Sequence, residues 1–211
     1  MRFEAVIFDL DGVICSTDRY HYLAWKSLAD RLRIPFDETD NERLRGVGRM
    51  ECLEIMLEKS DRTYSDEEKW QFAEEKNREY QNLLREMRPE DVRAEVRETL
   101  ALLRRKGIKT AIGSSSRNAC LILCQTSLAE AFDAVADGTH ITHPKPDPEV
   151  FLLAASLLGV SPEKALVVED SRAGIVAAKR GNFMAAGLKG AAAAQETDFP
   201  LSSFREIEAL L

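Results

Sequence analysis

No stretch of this 211-residue chain stays apolar for the roughly 18 residues that would suggest a membrane span. A signal peptide is not expected either, because Met1 and Arg2 lead straight into a short strand pattern. Positive charge is in deficit: 29 Lys and Arg stand against 36 Asp and Glu, for a net charge of −7. A nucleic-acid backbone demands a basic surface, so nucleic acid is excluded as a partner. A local positive pocket for a small phosphorylated ligand is not. Cysteine is sparse: Cys15, Cys52, Cys120 and Cys124 form no tight framework, which points to a reducing, cytoplasmic setting. Internal repeats are missing too. The composition is that of a soluble globular protein, 45% apolar and 31% charged, long enough for one or two domains. A monomer is the default expectation.

The most telling residues come early. Ala5-Val6-Ile7-Phe8 is a short apolar run that reads as a buried parallel strand. Asp9 and Asp11 then fall where that strand ends, and Gly12 lets the chain turn sharply. Ligands of open α/β sheets bind at such carboxyl ends.

From about Thr17 to Met87 the pattern is almost wholly helical. Trp25, Leu28, Ala29 and Leu32 recur at helical spacing, Cys52 to Leu57 form a second apolar cluster, and Ser65 with Glu68 makes a capping box. Arg88-Pro89 marks a boundary. Beyond it, helices and apolar strands alternate: a helix over 94–105, a strand over 108–112, a helix from Arg117 to about Thr126, and a weak strand near 134–136. A helix over 148–158, a strand over 165–168, a helix over 173–179 and a strand over 183–186 follow. Such alternation predicts an α/β fold with a Rossmann-like, doubly wound parallel sheet. The first strand must join that sheet to bury its faces. The helical block is then an inserted cap domain, residues 17–88, between core segments 1–16 and 89–211.

Three further polar clusters fall at predicted strand ends. Gly113-Ser114-Ser115-Ser116-Arg117-Asn118 opens a helix, where N–H groups and hydroxyls favour an anion, although serines also cap helices without any ligand. Lys145 is framed by Pro144 and Pro146, and alone would read as a surface lysine. Glu169-Asp170 follows Leu166-Val167-Val168, and adjacent acids there also suit a plain turn. Taken together, the oxygens of Asp9, Asp11, Glu169 and Asp170 suit a hard cation such as Mg²⁺. Ser114 and Lys145 would offset the charge of a transferring phosphoryl group. An aspartate can attack phosphorus, and a second carboxylate two residues on can move the proton.

Asp9-x-Asp11-Gly12-Val13, Ser114, Lys145 and Glu169-Asp170 resemble, in order, the four motifs of the haloacid dehalogenase-like hydrolase superfamily, over Phe3 to about Gly187. Within it the chain is most similar to the β-phosphoglucomutase branch. The resemblance implies that Asp9 is the nucleophile and Asp11 the general acid/base. It also implies that Mg²⁺ is held by the Asp9 carboxylate, the Asp11 carbonyl, Glu169 and Asp170, with Ser114 and Lys145 on the transferring phosphate. The reaction expected is interconversion of β-D-glucose 1-phosphate and glucose 6-phosphate through a bisphosphate. A sugar-phosphate phosphatase is the alternative, and an idle binding protein would not need all the acids.

The finer likeness rests on the helical block. Thr17 stands at the expected hinge, and His21, one turn on, shares its face. Trp25 follows on the same helix. Leu44-Arg45-Gly46-Val47-Gly48-Arg49 resembles a substrate loop in which Gly46 and Val47 line the sugar and Arg49 grips the non-reacting phosphate. Cys52 and Lys76-Asn77 match further substrate-facing positions, as do Ser115, Ser116, Arg117 and Asn118 in the core. Gly48 and Cys52 replace the commoner serines, which bears on the sugar more than on the reaction. Cys120 and Cys124 are expected to pack in the core, and Trp70 and Phe72 within the cap.

Overall fold

The computed structural model describes residues 3–44 and 48–211. The chain divides into two compact units, Met1–Ser16 with Met87–Leu211, and Thr17–Glu86.

In the first unit six parallel strands lie in the order β3-β2-β1-β4-β5-β6: β1 (Ala5–Phe8), β2 (Lys109–Gly113), β3 (Ala134–Ala136), β4 (Ala165–Glu169), β5 (Met184–Gly187) and β6 (Phe199–Pro200). β1 is interior to the sheet and all four of its residues are buried. A strand covered on both faces has no polar side to show, hence its unbroken apolar run. Alternate side chains serve opposite faces. Ala5, Ile7, Ala111 and Val167 pack with Val150, Phe151 and Ala154 and with Ile175 and Ala178. On the other face Phe8 meets Phe132 and Phe204 at ring distances of 6.3 and 5.6 Å. The helices are α5 (Ala94–Arg105), α6 (Ala119–Gln125), α7 (Glu149–Leu158) and α8 (Arg172–Arg180).

Two features here differ from the sequence reading. Cys120 and Cys124 are exposed rather than in the core, because α6 buries Ala119, Ile122 and Leu123 and turns the cysteine face outward. The two-residue strand β6 and the helical turn Phe204–Leu210 close the chain without a periodic signal. The proline of β6 is tolerated at a sheet edge.

The second unit contains α1 (Asp18–Leu32), α2 (Glu38–Glu42), α3 (Arg49–Leu57) and α4 (Asp66–Leu84). Trp25, Leu28, Ala29, Leu53, Met56 and Ala73 form its core. Ser65 and Glu68 make the expected capping box on α4, and Asp37 with Asp40 makes another on α2. Phe72 packs against this core, but Trp70 is 58% exposed, since the buried register of α4 begins only at Ala73.

Candidate active site

Strand register alone brings three of the four motifs together. Phe8 is paired with Ile112 on one side and with Val168 on the other. One residue further, Asp9 therefore stands between Gly113 and Glu169, and its N–H still donates to the Val168 carbonyl at 3.0 Å. Ser114 extends β2 in the same way, its N–H donating to the Ala136 carbonyl at 3.0 Å. The carboxyl ends of adjacent parallel strands thus collect the nucleophile candidate, a serine and two acids.

Lys145 reaches in from the loop before α7. Its Nζ lies 2.6 Å from Asp9 Oδ1 and 2.6 Å from Glu169 Oε1, over the Phe151 ring. Burial by itself would favour the neutral amine, but the two carboxylates outweigh it and hold the ammonium above its usual range. Burial pushes the Asp9 carboxyl up to about 7 against the pull of Lys145, and the neighbouring Glu169 adds to the rise. Lys145 thus holds one of the two Asp9 carboxylate oxygens, Oδ1.

The remaining acids are fixed by backbone. Glu169 Oε2 accepts from Asp170 N, Ser171 N and Ser171 Oγ, each at 2.9 Å, at the start of α8. Gly174 is needed there: a Cβ would come within 1.9 Å of the Glu169 carboxyl carbon. Gly12, at φ +84°, would place a Cβ 1.8 Å from Asp170 Oδ2. Both glycines let a carboxylate lie against main chain.

Asp9, Glu169 and Asp170 each offer an oxygen within 4.8 Å of the others, the one such trio among the described residues. Three carboxylates facing only Lys145 and the exposed Lys189 are short of positive charge, and burial also raises the Asp170 carboxyl to about 6. An all-oxygen donor set lacking positive charge fits Mg²⁺. The Asp11 carboxylate is not part of the trio.

The 114–118 loop is knit by its own hydroxyls. Ser114, buried, accepts from Ser116 N at 3.2 Å, and Ser116 Oγ accepts from Asn118 N at 3.2 Å. Ser115 Oγ accepts from Lys145 N at 3.3 Å, tying this loop to the lysine. Asn118 is buried and Arg117 exposed. The serines therefore brace the loop and do not cap α6.

In the helical unit Thr17, His21, Trp25, Lys76 and Tyr80 form one cluster. Tyr80 donates to Thr17 Oγ1 at 3.0 Å and its ring stacks on His21 at 4.0 Å. Lys76 Nζ lies 2.9 Å from His21 Nδ1 and 4.6 and 4.7 Å from the Trp25 and Tyr80 ring centres. Burial lowers His21 well below the usual imidazole value and Lys76 to about 7, with no carboxylate among the described residues to oppose it. A donating Lys76 leaves the His21 ring proton on Nε2. Arg49 donates to Glu74 Oε1 at 2.9 Å and to Asn77 Oδ1 at 3.0 Å. Cys52 is buried and its Sγ donates to the Leu44 carbonyl at 3.4 Å. Gly46 and Val47 lie outside the described residues.

Sequence reasoning passed over Tyr80, Glu74, Ser171 and Lys189. Only Ser171 carried a local signal, as a serine directly before a helix.

Residues 3–182 match the model of the haloacid dehalogenase-like hydrolases. The chain belongs to that family. It is 43% identical over 187 residues to a β-phosphoglucomutase of Bacillus subtilis, covering 88% of this chain and 83% of that one. It is 37% identical to a phosphorylated-carbohydrate phosphatase of Thermotoga maritima, over 83% and 80%. The crystal structure of a β-phosphoglucomutase from Clostridium difficile superposes with a TM-score of 0.88 at 36% identity, over 99% and 95% of the two chains.

Proposed function

We propose that this chain is an Mg²⁺-dependent sugar-phosphate mutase that interconverts β-D-glucose 1-phosphate and glucose 6-phosphate through a bisphosphate. The observation that carries phosphoryl transfer is the Asp9 carboxylate at the end of β1, held by Lys145 at 2.6 Å through one of its oxygens and grouped with Glu169 and Asp170. The resemblance to two β-phosphoglucomutases over most of the chain supports the finer reading.

An Asp9 carboxylate oxygen attacks phosphorus, forming an acyl phosphate as the ester P–O bond breaks. Asp11 gives a proton to the departing sugar oxygen and takes one from the hydroxyl that later receives the group. Mg²⁺, held by Asp9, Glu169, Asp170 and the Asp11 carbonyl, would supply charge stabilisation for the phosphoryl oxygens. Lys145 and Ser114 grip those same oxygens, and Lys145 keeps Asp9 aimed. Arg49 takes the phosphate that is not reacting; its fork of donors suits that task. In the helical unit His21, Lys76, Asn77 and Cys52 serve the sugar, as do Ser115 to Asn118 in the core.

A phosphatase would run the same first step and deliver the acyl phosphate to water. The 37% identity to a carbohydrate phosphatase keeps that reading in play. The test supplies β-glucose 1-phosphate, Mg²⁺ and catalytic bisphosphate, then compares glucose 6-phosphate with free phosphate. Predominant glucose 6-phosphate is expected; predominant free phosphate makes the enzyme a phosphatase, and neither product overturns both. Asp9→Asn should abolish turnover with the fold intact. Arg49→Ala should cost isomerisation about 10- to 100-fold, the worth of one charge-assisted contact, and spare hydrolysis of small esters.

A further inference from the structure

Asp170 has its own cation, of a different kind from Lys145. β5 ends at Gly187, and the chain then clamps across the Asp170 turn: Leu188 N donates to the Glu169 carbonyl at 2.7 Å and Ala191 N to the Asp170 carbonyl at 3.1 Å. Between those two bonds stands Lys189, at φ +49°, a left-handed conformation uncommon for a residue with a Cβ. From there its Nζ lies 3.4 Å from Asp170 Oδ2.

The two lysines of the trio differ in how firmly they are held. The Lys145 side chain is 9% exposed and bridges two carboxylates at 2.6 Å, whereas the Lys189 side chain is 55% exposed and makes one long contact. An open cleft of about 350 Å³ adjoins it, lined by Gly12, Arg93, Lys189, Ser202 and Ser203. Gly12 is the residue against which the Asp170 carboxylate rests. Gly12 and Lys189 thus line one cleft, and the hydroxyls of Ser202 and Ser203 there offer a released ammonium new partners.

We propose that Lys189 is the displaceable counter-ion of Asp170: it neutralises this carboxylate in the cation-free protein, swings into the adjoining cleft when a divalent cation enters, and by competing lowers cation affinity. Lys189 is thus a positioning residue that acts through Asp170. This rests on the reading that Asp9, Glu169 and Asp170 hold a divalent cation, and not on mutase over phosphatase. An entering cation must displace the ammonium and then tolerate a like charge a few ångströms away. Removing the charge removes both penalties.

The experiment is calorimetric titration of the whole protein with Mg²⁺, and with Mn²⁺, in the absence of any phosphate ester. Lys189→Gln should bind the cation about three- to fivefold more tightly, the range of one exposed charge interaction. Lys189→Asn, whose side chain tolerates positive φ, should do the same, so that a poorly folding Gln variant does not decide the matter. Lys189→Arg should keep the wild-type affinity. The gain should shrink in ~0.5 M KCl, because an exposed charge is screened. Unchanged or weaker binding in folded Gln and Asn variants overturns the proposal. Absence of binding by the wild-type protein removes the cation site itself, and the proposal with it, whichever reaction the enzyme runs.

Discussion

Two buried lysine side chains, one in each unit, end with proton affinities shifted in opposite directions. Lys145 lies between the Asp9 and Glu169 carboxylates and stays an ammonium. Lys76, 4% exposed, lies between two aromatic rings and a neutral histidine, and its affinity for a proton falls to about 7. Desolvation is the largest influence in both and pushes both downward. Ring faces attract a cation weakly, by roughly 0.5–2 kcal/mol, which does not replace lost hydration. Two carboxylates at 2.6 Å together do. The partner, and not the depth, decides the charge state of a buried amine.

Stability should separate the two sites most sharply. Lys145→Met leaves Asp9 and Glu169 buried together without their cation, and should cost about 3–5 kcal/mol near neutral pH, as breaking a buried pair does. Lys76→Met removes a buried amine that lacks a carboxylate and keeps an apolar chain among the rings; it should change stability by less than about 1 kcal/mol or raise it. Urea unfolding of the two variants checks this. Equal losses would break the comparison.

The pH dependence sharpens it. Unfolded, Lys76 titrates at 10.5; folded, it titrates near 7. Between those values the unfolded chain binds a proton that the folded chain does not, so stability climbs with pH, by at most about 1.4 kcal/mol per unit. Lys145 is raised above 10.5, so its stabilisation is present throughout that window and is lost only as pH rises through its folded value. His21, lowered below 6.5, works against the fold as pH drops below that figure, where the unfolded imidazole takes up a proton. Subtracting the Lys76→Met profile from wild type isolates the climb. A flat difference from neutral to alkaline pH would mean that Lys76 stays charged in the fold.

The same contrast shows what could be read from the chain. The Asp9 site was legible because each of its acids follows an unbroken apolar run, and parallel register carries the three strand ends to one edge. The helices of the second unit were legible from apolar spacing and the Ser65–Glu68 box. The tie between Thr17 and Tyr80 was not, since 63 residues separate them and neither has a local reason to seek the other. Lys189 was hidden for the same cause: only the β5 clamp brings it to Asp170. The cysteines of α6 misled because a four-residue spacing says which residues share a face, but not which face is buried.

The smallest expected effect tests whether the aromatic cluster is an ordered polar array or merely packed apolar surface. Tyr80 is fully inside, its hydroxyl donates to a buried Thr17 at 3.0 Å, and its ring carries His21 at 4.0 Å and Lys76 at 4.7 Å. Tyr80→Phe keeps the ring and deletes the hydroxyl, so stacking survives and the hydrogen bond to Thr17 is lost. The cost should be about 1 kcal/mol in urea unfolding, the net worth of one such bond. Tyr80→Leu removes the ring as well and should cost more, while raising the proton affinity of Lys76 little, because its low value comes from burial. If Tyr80→Phe costs nothing, the Thr17 hydroxyl has found another partner and the array is not specified by this bond. A loss as large as that of Tyr80→Leu would make the hydroxyl, rather than the ring, the element that holds His21 and Lys76 in place.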